Sequence, residues 1–164
     1  MKLALTLLFW SVSCTPHAQY PGNPRMIYHA DVRFSEDEKH IVQQTIAQWN
    51  EHMNGARSLS VVFDWHGQNI EPRIEAGEPS DARIPGVPVA PEGQDVAGFC
   101  LGGRIVWITR RTEVLTHEIG HSLGMRKHHP SENRVMSAVT QFGQTWQTED
   151  QEYCIREIVC RAKL

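Results

Sequence analysis

The chain has no run of lysine and arginine, and over 164 residues its formal charge is only −3. That balance excludes an electrostatic footprint for nucleic acid. After the first dozen residues it has no apolar run long enough to span a bilayer. There is no internal repeat and no low-complexity tract, so solenoids and fibrous arrays are set aside. Cysteine is scarce, with four residues at positions 14, 100, 154 and 160. None has zinc-ribbon spacing, which argues against a thiolate metal site. The remaining composition is that of an ordinary globular domain, and the length suffices for one domain with a substantial core.

The N-terminus stands apart. Met1 and Lys2 form a short positive region, and Leu3 to Trp10 is apolar except for Thr6. Together they read as a secretory signal and predict export. Ser11-Val12-Ser13-Cys14 resembles the lipobox of bacterial lipoproteins, with Ser11 where leucine is usual, which would lipidate Cys14 and anchor the chain. Free secretion after cleavage at Ala18 is the alternative. With Cys14 lipidated, an oxidising compartment predicts one disulfide and one thiol, Cys100 pairing with Cys154 or Cys160. The expected organisation is a signal over 1–14, a proline-rich tether over 15–24 and one catalytic domain over 25–164, acting as a monomer.

Within 25–164, residues 25–34 read as a strand. Ser35 with Glu38 forms a capping box, and Val42, Ile46, Trp49 and Met53 recur at helical spacing up to a stop at Gly55. Residues 58–65 alternate Leu59, Val61, Phe63 and Trp65 as a half-buried strand. Strand, helix, strand in that order predicts a crossover in a largely parallel sheet. A short strand over 70–76 is weakened by Pro72. Residues 78–94, rich in proline, form a long loop. Asp81, Glu92 and Asp95 are its candidate ligands for a calcium ion, with solvated loop charge as the plainer reading. Residues 96–101 and 104–109 flank Gly102-Gly103 as a hairpin, the first strand antiparallel at an edge and the second buried on both faces. Such an edge can bind an extended peptide through main-chain hydrogen bonds. A last helix is expected from Thr148 to about Arg161, its buried side formed by Ile155, Ile158, Val159 and Ala162.

The chemistry concentrates in THEIGHSLGMRKHHPSENRVM, residues 116–136. Thr112 is read as the cap of its helix. His117 and His121 are four apart, so both imidazoles reach one ion, and Glu118 between them can hold a water beside it. Leu115, Ile119 and Leu123 form a separate apolar stripe. Gly124 ends the helix; His128, His129 and then Met136 follow.

In element order and in these residues the chain resembles the metzincin metalloproteases, most closely the matrixin branch. The resemblance implies an α+β, zincin-like fold. That fold has a mixed, mostly parallel twisted sheet with an antiparallel edge strand, an active-site helix, a Met-turn and a C-terminal helix. It also implies one catalytic Zn²⁺ held by His117, His121 and a third histidine. Glu118 would be general base, Gly124 the turn glycine and Met136 the Met-turn methionine. The family pattern puts the third ligand at Lys127, which cannot ligate while protonated. His128, eight residues before Met136, is the expected replacement, with His129 its rival. A carboxylate of the last helix, Glu149 or Glu152, is the remaining alternative. The implied activity is an exported zinc endopeptidase whose protein or peptide substrate lies along edge strand 96–101. A catalytically degenerate zinc-binding surface or periplasmic protein is the competing reading.

Overall fold

A computed structural model describes residues 7–8, 25–53, 57–83, 85, 87, 95–125, 127–131, 134–137, 139–140, 144, 146–150 and 152–154. A two-residue strand, β1 (Leu7–Leu8), pairs with β7 (Val139–Thr140). The main sheet has five strands: β2 (Arg25–Asp31), β3 (Ser58–Trp65), β4 (Arg73–Ala76), β5 (Gly98–Leu101) and β6 (Arg104–Trp107). Their order is β3-β2-β4-β6-β5. All neighbours are parallel except β5, which runs antiparallel to β6 at the edge. This is the α+β, mostly parallel arrangement that the sequence predicts.

Helix α1 (Glu36–His52) connects β2 to β3. Its start is the predicted capping box: the Ser35 hydroxyl accepts from the Glu38 amide, and the Glu38 carboxylate accepts from the Ser35 amide. Two orphan amides of the first turn are thereby satisfied. Glu38 also accepts from Arg110 Nε at 2.7 Å, tying α1 to the approach of the second helix. Burial then follows the predicted stripe of Val42, Ile46 and Trp49.

The expected two-faced strand is β6. Ile105 and Trp107 join the main core under the helices, whereas Val106 packs with Val87 and Phe99 on the opposite face. Pro72 precedes β4 rather than interrupting it, after a cis Glu71–Pro72 bond. Most of the 78–94 loop lies outside the described residues, Glu92 included. Its Asp81 accepts from the Glu78 amide at 2.7 Å, which caps the short 3-10 turn Pro79–Arg83, and Asp95 is exposed. Calcium ligation by this loop therefore gains no support.

Helix α2 (Thr112–Ser122) corrects one reading. Thr112 is its first residue, not its cap; Arg111 occupies the cap position without a side-chain capping hydrogen bond. The last helix is described over 148–150 and 152–154, and the apolar residues expected on its buried side, Ile155 onward, lie outside the described residues. Cys154 is a buried free thiol, so it does not pair with Cys100, and Cys160 is not among the described residues. No helix among the described residues is long and apolar enough to cross a membrane.

The core and α2 meet at Trp49, fully buried, whose indole N–H donates to the Thr116 carbonyl at 3.1 Å. Trp49→Ala should therefore cost about 3–5 kcal/mol, as for other buried aromatic truncations. The measure is the urea midpoint at constant slope, and a loss below about 1 kcal/mol would contradict this packing.

Candidate metal centre

Every residue of α2 from Val114 to Ser122 is buried, so its chemical face is as enclosed as its apolar one. His117, Glu118 and His121 are 0%, 2% and 2% exposed, which denies them bulk water as a hydrogen-bonding partner. The two imidazoles are pinned from behind. His117 Nδ1 lies 2.9 Å from the Val135 carbonyl, and His121 Nδ1 lies 2.6 Å from the Met125 carbonyl. A carbonyl only accepts, so both Nδ1 atoms carry the proton and both Nε2 atoms keep a lone pair.

The helix end supplies the second of those carbonyls. Gly124 has φ +101°, the left-handed conformation that favours glycine. Its amide bonds the His121 carbonyl, and the Met125 amide bonds the Gly120 carbonyl at 3.1 Å. This paired closure is a Schellman motif, and it turns the Met125 carbonyl back onto His121.

The first carbonyl comes from the turn before Met136. Asp150 accepts from the Val135 amide at 2.9 Å and from the Gln147 amide at 3.0 Å, so the last helix holds the turn that orients His117. Met136, 1% exposed, presses on α2 where Gly120 leaves room. A Cβ on Gly120 would stand 2.3 Å from Met136 Sδ and 3.3 Å from Trp49 Cη2. The sequence reading passed over Gly120. Its signal was an isolated glycine inside a helix, which marks a close approach.

The structure brings His128, not His129, to the pair. Ligand atoms of His117, His121 and His128 all lie within 4.8 Å of one another, the group of three among the described residues that could hold a metal ion. The His128 ring sits 5.2 Å from each of the other two rings, and its Nε2 is buried with no hydrogen-bond partner. His129 turns elsewhere: its Nδ1 accepts from the Ser131 amide, and its ring packs on Tyr153 at 5.0 Å. Lys127 is exposed, and its carbonyl accepts from the Tyr153 hydroxyl. Glu149 is exposed and pairs with Arg134, and Glu152 is exposed.

The donor set fits a zinc ion. His117 Nε2 and His121 Nε2 face each other at 2.9 Å, two lone pairs that repel unless a cation lies beside them. Tetrahedral zinc with bonds of about 2.0–2.1 Å would set them roughly 3.3 Å apart, a few tenths further than here. Burial also pushes all three imidazoles toward the neutral form that ligates. It lowers His117 well below its ordinary value, takes His121 down to about 4, and lowers His128. Burial alone raises Glu118 to about 8. An adjacent dication acts against that shift by favouring the carboxylate.

The sequence model of the matrixin family, whose members are zinc metallopeptidases, matches residues 12–158. No curated protein matches the chain in sequence.

Two outcomes follow from the geometry. The depressed histidines stabilise the metal-free fold fully above their unfolded value of 6.5, and that stability is lost as pH falls toward 4. Glu118 has the opposite sign: its contribution is full below 4.5 and is lost as pH rises through about 8. The thermal midpoint of chelator-treated protein should therefore drop between pH 6.5 and 4, and Glu118→Gln should remove a decline toward pH 8. Separately, Gly120→Ala should displace Met136 and weaken zinc binding by about 10- to 100-fold, the range seen when groups behind a ligand are disturbed. A competitive zinc titration reads it, and an unchanged affinity would refute the contact.

Proposed function

We propose that the chain, which belongs to the matrixin family of zinc metallopeptidases, is an exported endopeptidase that cleaves proteins or peptides. The convergence of three imidazoles on one point, two buried and one half-buried, next to a buried glutamate in the same helix, carries this reading. His117, His121 and His128 are the proposed ligands and Glu118 the proposed base. Residues 1–14 serve as the export signal, 15–24 as tether and 25–164 as catalytic domain, working as a monomer either anchored through Cys14 or released.

Zinc, when bound, would acidify a water and polarise the scissile carbonyl. The chain's own residues do the rest. Val135 and Met125 hold two imidazoles in the tautomer that leaves Nε2 available. Glu118 takes the proton of the attacking water as the new C–O bond forms, then gives it to the amine nitrogen, and the peptide C–N bond breaks as that amine leaves. The edge of β5, unpaired among the described residues, offers backbone N–H and C=O groups to an extended substrate, and such N–H groups can also support the developing oxyanion. Helix α2 packs directly under this edge, since a Cβ on Gly98 would lie 2.8 Å from Val114 Cγ1 and 3.6 Å from Glu118 Cγ. Substrate and base are thereby kept close.

Purified protein should bind about one zinc per chain and cleave casein, with cleavage abolished by a chelator and restored by zinc. Glu118→Ala should keep the metal and lose about 10²-fold or more in kcat. His128→Ala should lose zinc while His129→Ala keeps it. Zinc content without hydrolysis of a broad peptide library would instead mark a degenerate binding protein, and absence of metal would defeat both readings.

A further inference from the structure

A cavity of about 500 Å³ lies between α1 and α2. Its wall includes Glu51 and His52 from α1, Glu113 and Thr116 from α2, and Val135 and Trp146 from the segments that follow. None of His117, Glu118, His121 and His128 lines it, so it is not the metal centre itself. It nevertheless adjoins that centre. Glu113 and His117 are four residues apart on α2 and share one face, separated by one turn of about 5.4 Å. Thr116 precedes His117, and Val135 supplies the carbonyl that His117 binds.

The wall has a consistent chemistry. Among the described residues it carries two carboxylates, Glu51 and Glu113, and neither lysine nor arginine. Arg111, which is not part of the wall, reaches Glu113 at 3.7 Å and offsets part of one charge. In the same wall, the Trp146 indole stacks on the His52 imidazole with centroids 4.3 Å apart and planes at 20°. An indole face attracts a cation. The Trp146 Nε1–H is buried without a hydrogen-bond partner among the described residues, a donor that an acceptor group would satisfy.

We propose that this cavity receives a lysine or arginine side chain of the polypeptide being cleaved, close in sequence to the scissile bond. The cation lies against Glu51 and Glu113 beside the Trp146 ring, and the indole N–H donates to a backbone carbonyl of the same peptide. An aliphatic side chain there would displace water from two carboxylates and return no charge, so the cavity discriminates against it. The proposal rests on the endopeptidase reading and adds a substrate class to it.

Two measurements separate the two claims. In the first, the zinc-loaded protein cleaves a randomised peptide library. Lysine and arginine should be enriched at one fixed position relative to the cut. The kcat/KM ratio of basic over leucine peptides should fall about tenfold in Glu113→Gln and in Glu51→Gln, a change of about 1.4 kcal/mol. Glu36→Gln, on the exposed first turn of α1, should keep the preference, and Glu113→Lys should shift it toward acidic residues. In the second, zinc-loaded Glu118→Gln protein is titrated with Nα-acetyl-arginine amide and followed by NMR. Saturable binding, weakened about tenfold by adding Glu113→Gln, is expected. Cleavage without basic preference, a preference that survives both glutamine variants, or no binding of the arginine amide would each overturn the proposal. Binding of the amide with no peptide cleaved by the parent protein would instead defeat the endopeptidase reading, and with it the substrate role, while leaving a cation site.

Discussion

Two nitrogen lone pairs held 2.9 Å apart in a buried site are the constraint around which this molecule is built. Neither imidazole escapes by exchanging its proton to the other nitrogen, because each Nδ1–H is already committed to a backbone carbonyl. Sharing an extra proton is opposed by burial, which lowers both groups. Water cannot separate the pair at that distance. A metal cation is the group that turns this repulsion into two bonds, and the orphaned Nε2 of His128 adds a third donor of the same kind.

Holding the pair requires two carbonyls in fixed places, and much of the C-terminal half of the chain is devoted to that. The Schellman closure at Gly124 places one; the Val135 turn, tied by Asp150 to the last helix, places the other. Behind them, Met136 fits against the bare backbone of Gly120, and Trp49 reaches across from α1 to the Thr116 carbonyl. The same contacts that exclude water from the core therefore set the directions of the imidazoles. A substitution that loosens packing at Trp49 or Met136 acts on ligand geometry as well as on stability, so the two effects are coupled rather than additive.

Local rules made much of this legible before any coordinates. The Ser35–Glu38 box, the alternating 58–65 strand, the hairpin at Gly102-Gly103 and the helical spacing of His117 and His121 each depend on interactions within a few residues, and all four stand as read. Thr112 failed because a capping residue type is only a propensity, and here the approach to α2 is fixed instead by Arg110 at φ +55° bonded to Glu38 of another helix. Between His128 and His129 only the family's spacing to Met136 favoured His128, and no local rule decides, since adjacent residues in a turn point different ways. The outcome depends on Tyr153 and Met136, 24 and 7 residues beyond His129: the Tyr153 ring contacts the His129 ring and the Met136 carbonyl accepts from its amide. The cavity beside α2 was invisible for the same reason, because its acids come from two helices more than 60 residues apart in sequence.

The charge state of Glu118 closes the argument. Left to burial alone, its carboxyl is raised to about 8 and is mostly protonated at neutral pH, when it can donate a proton but not take one. An adjacent dication favours the charged form, so an ion that relieved the histidine lone pairs would also return the glutamate to the state that the proposed general base needs. The fold thus pairs three groups that burial makes neutral with one that burial makes acid, and a single positive centre corrects both. Removal of the ion is then more than loss of a Lewis acid. A site without the ion would also keep Glu118 mostly protonated at neutral pH and leave the lone pairs of His117 and His121 opposed.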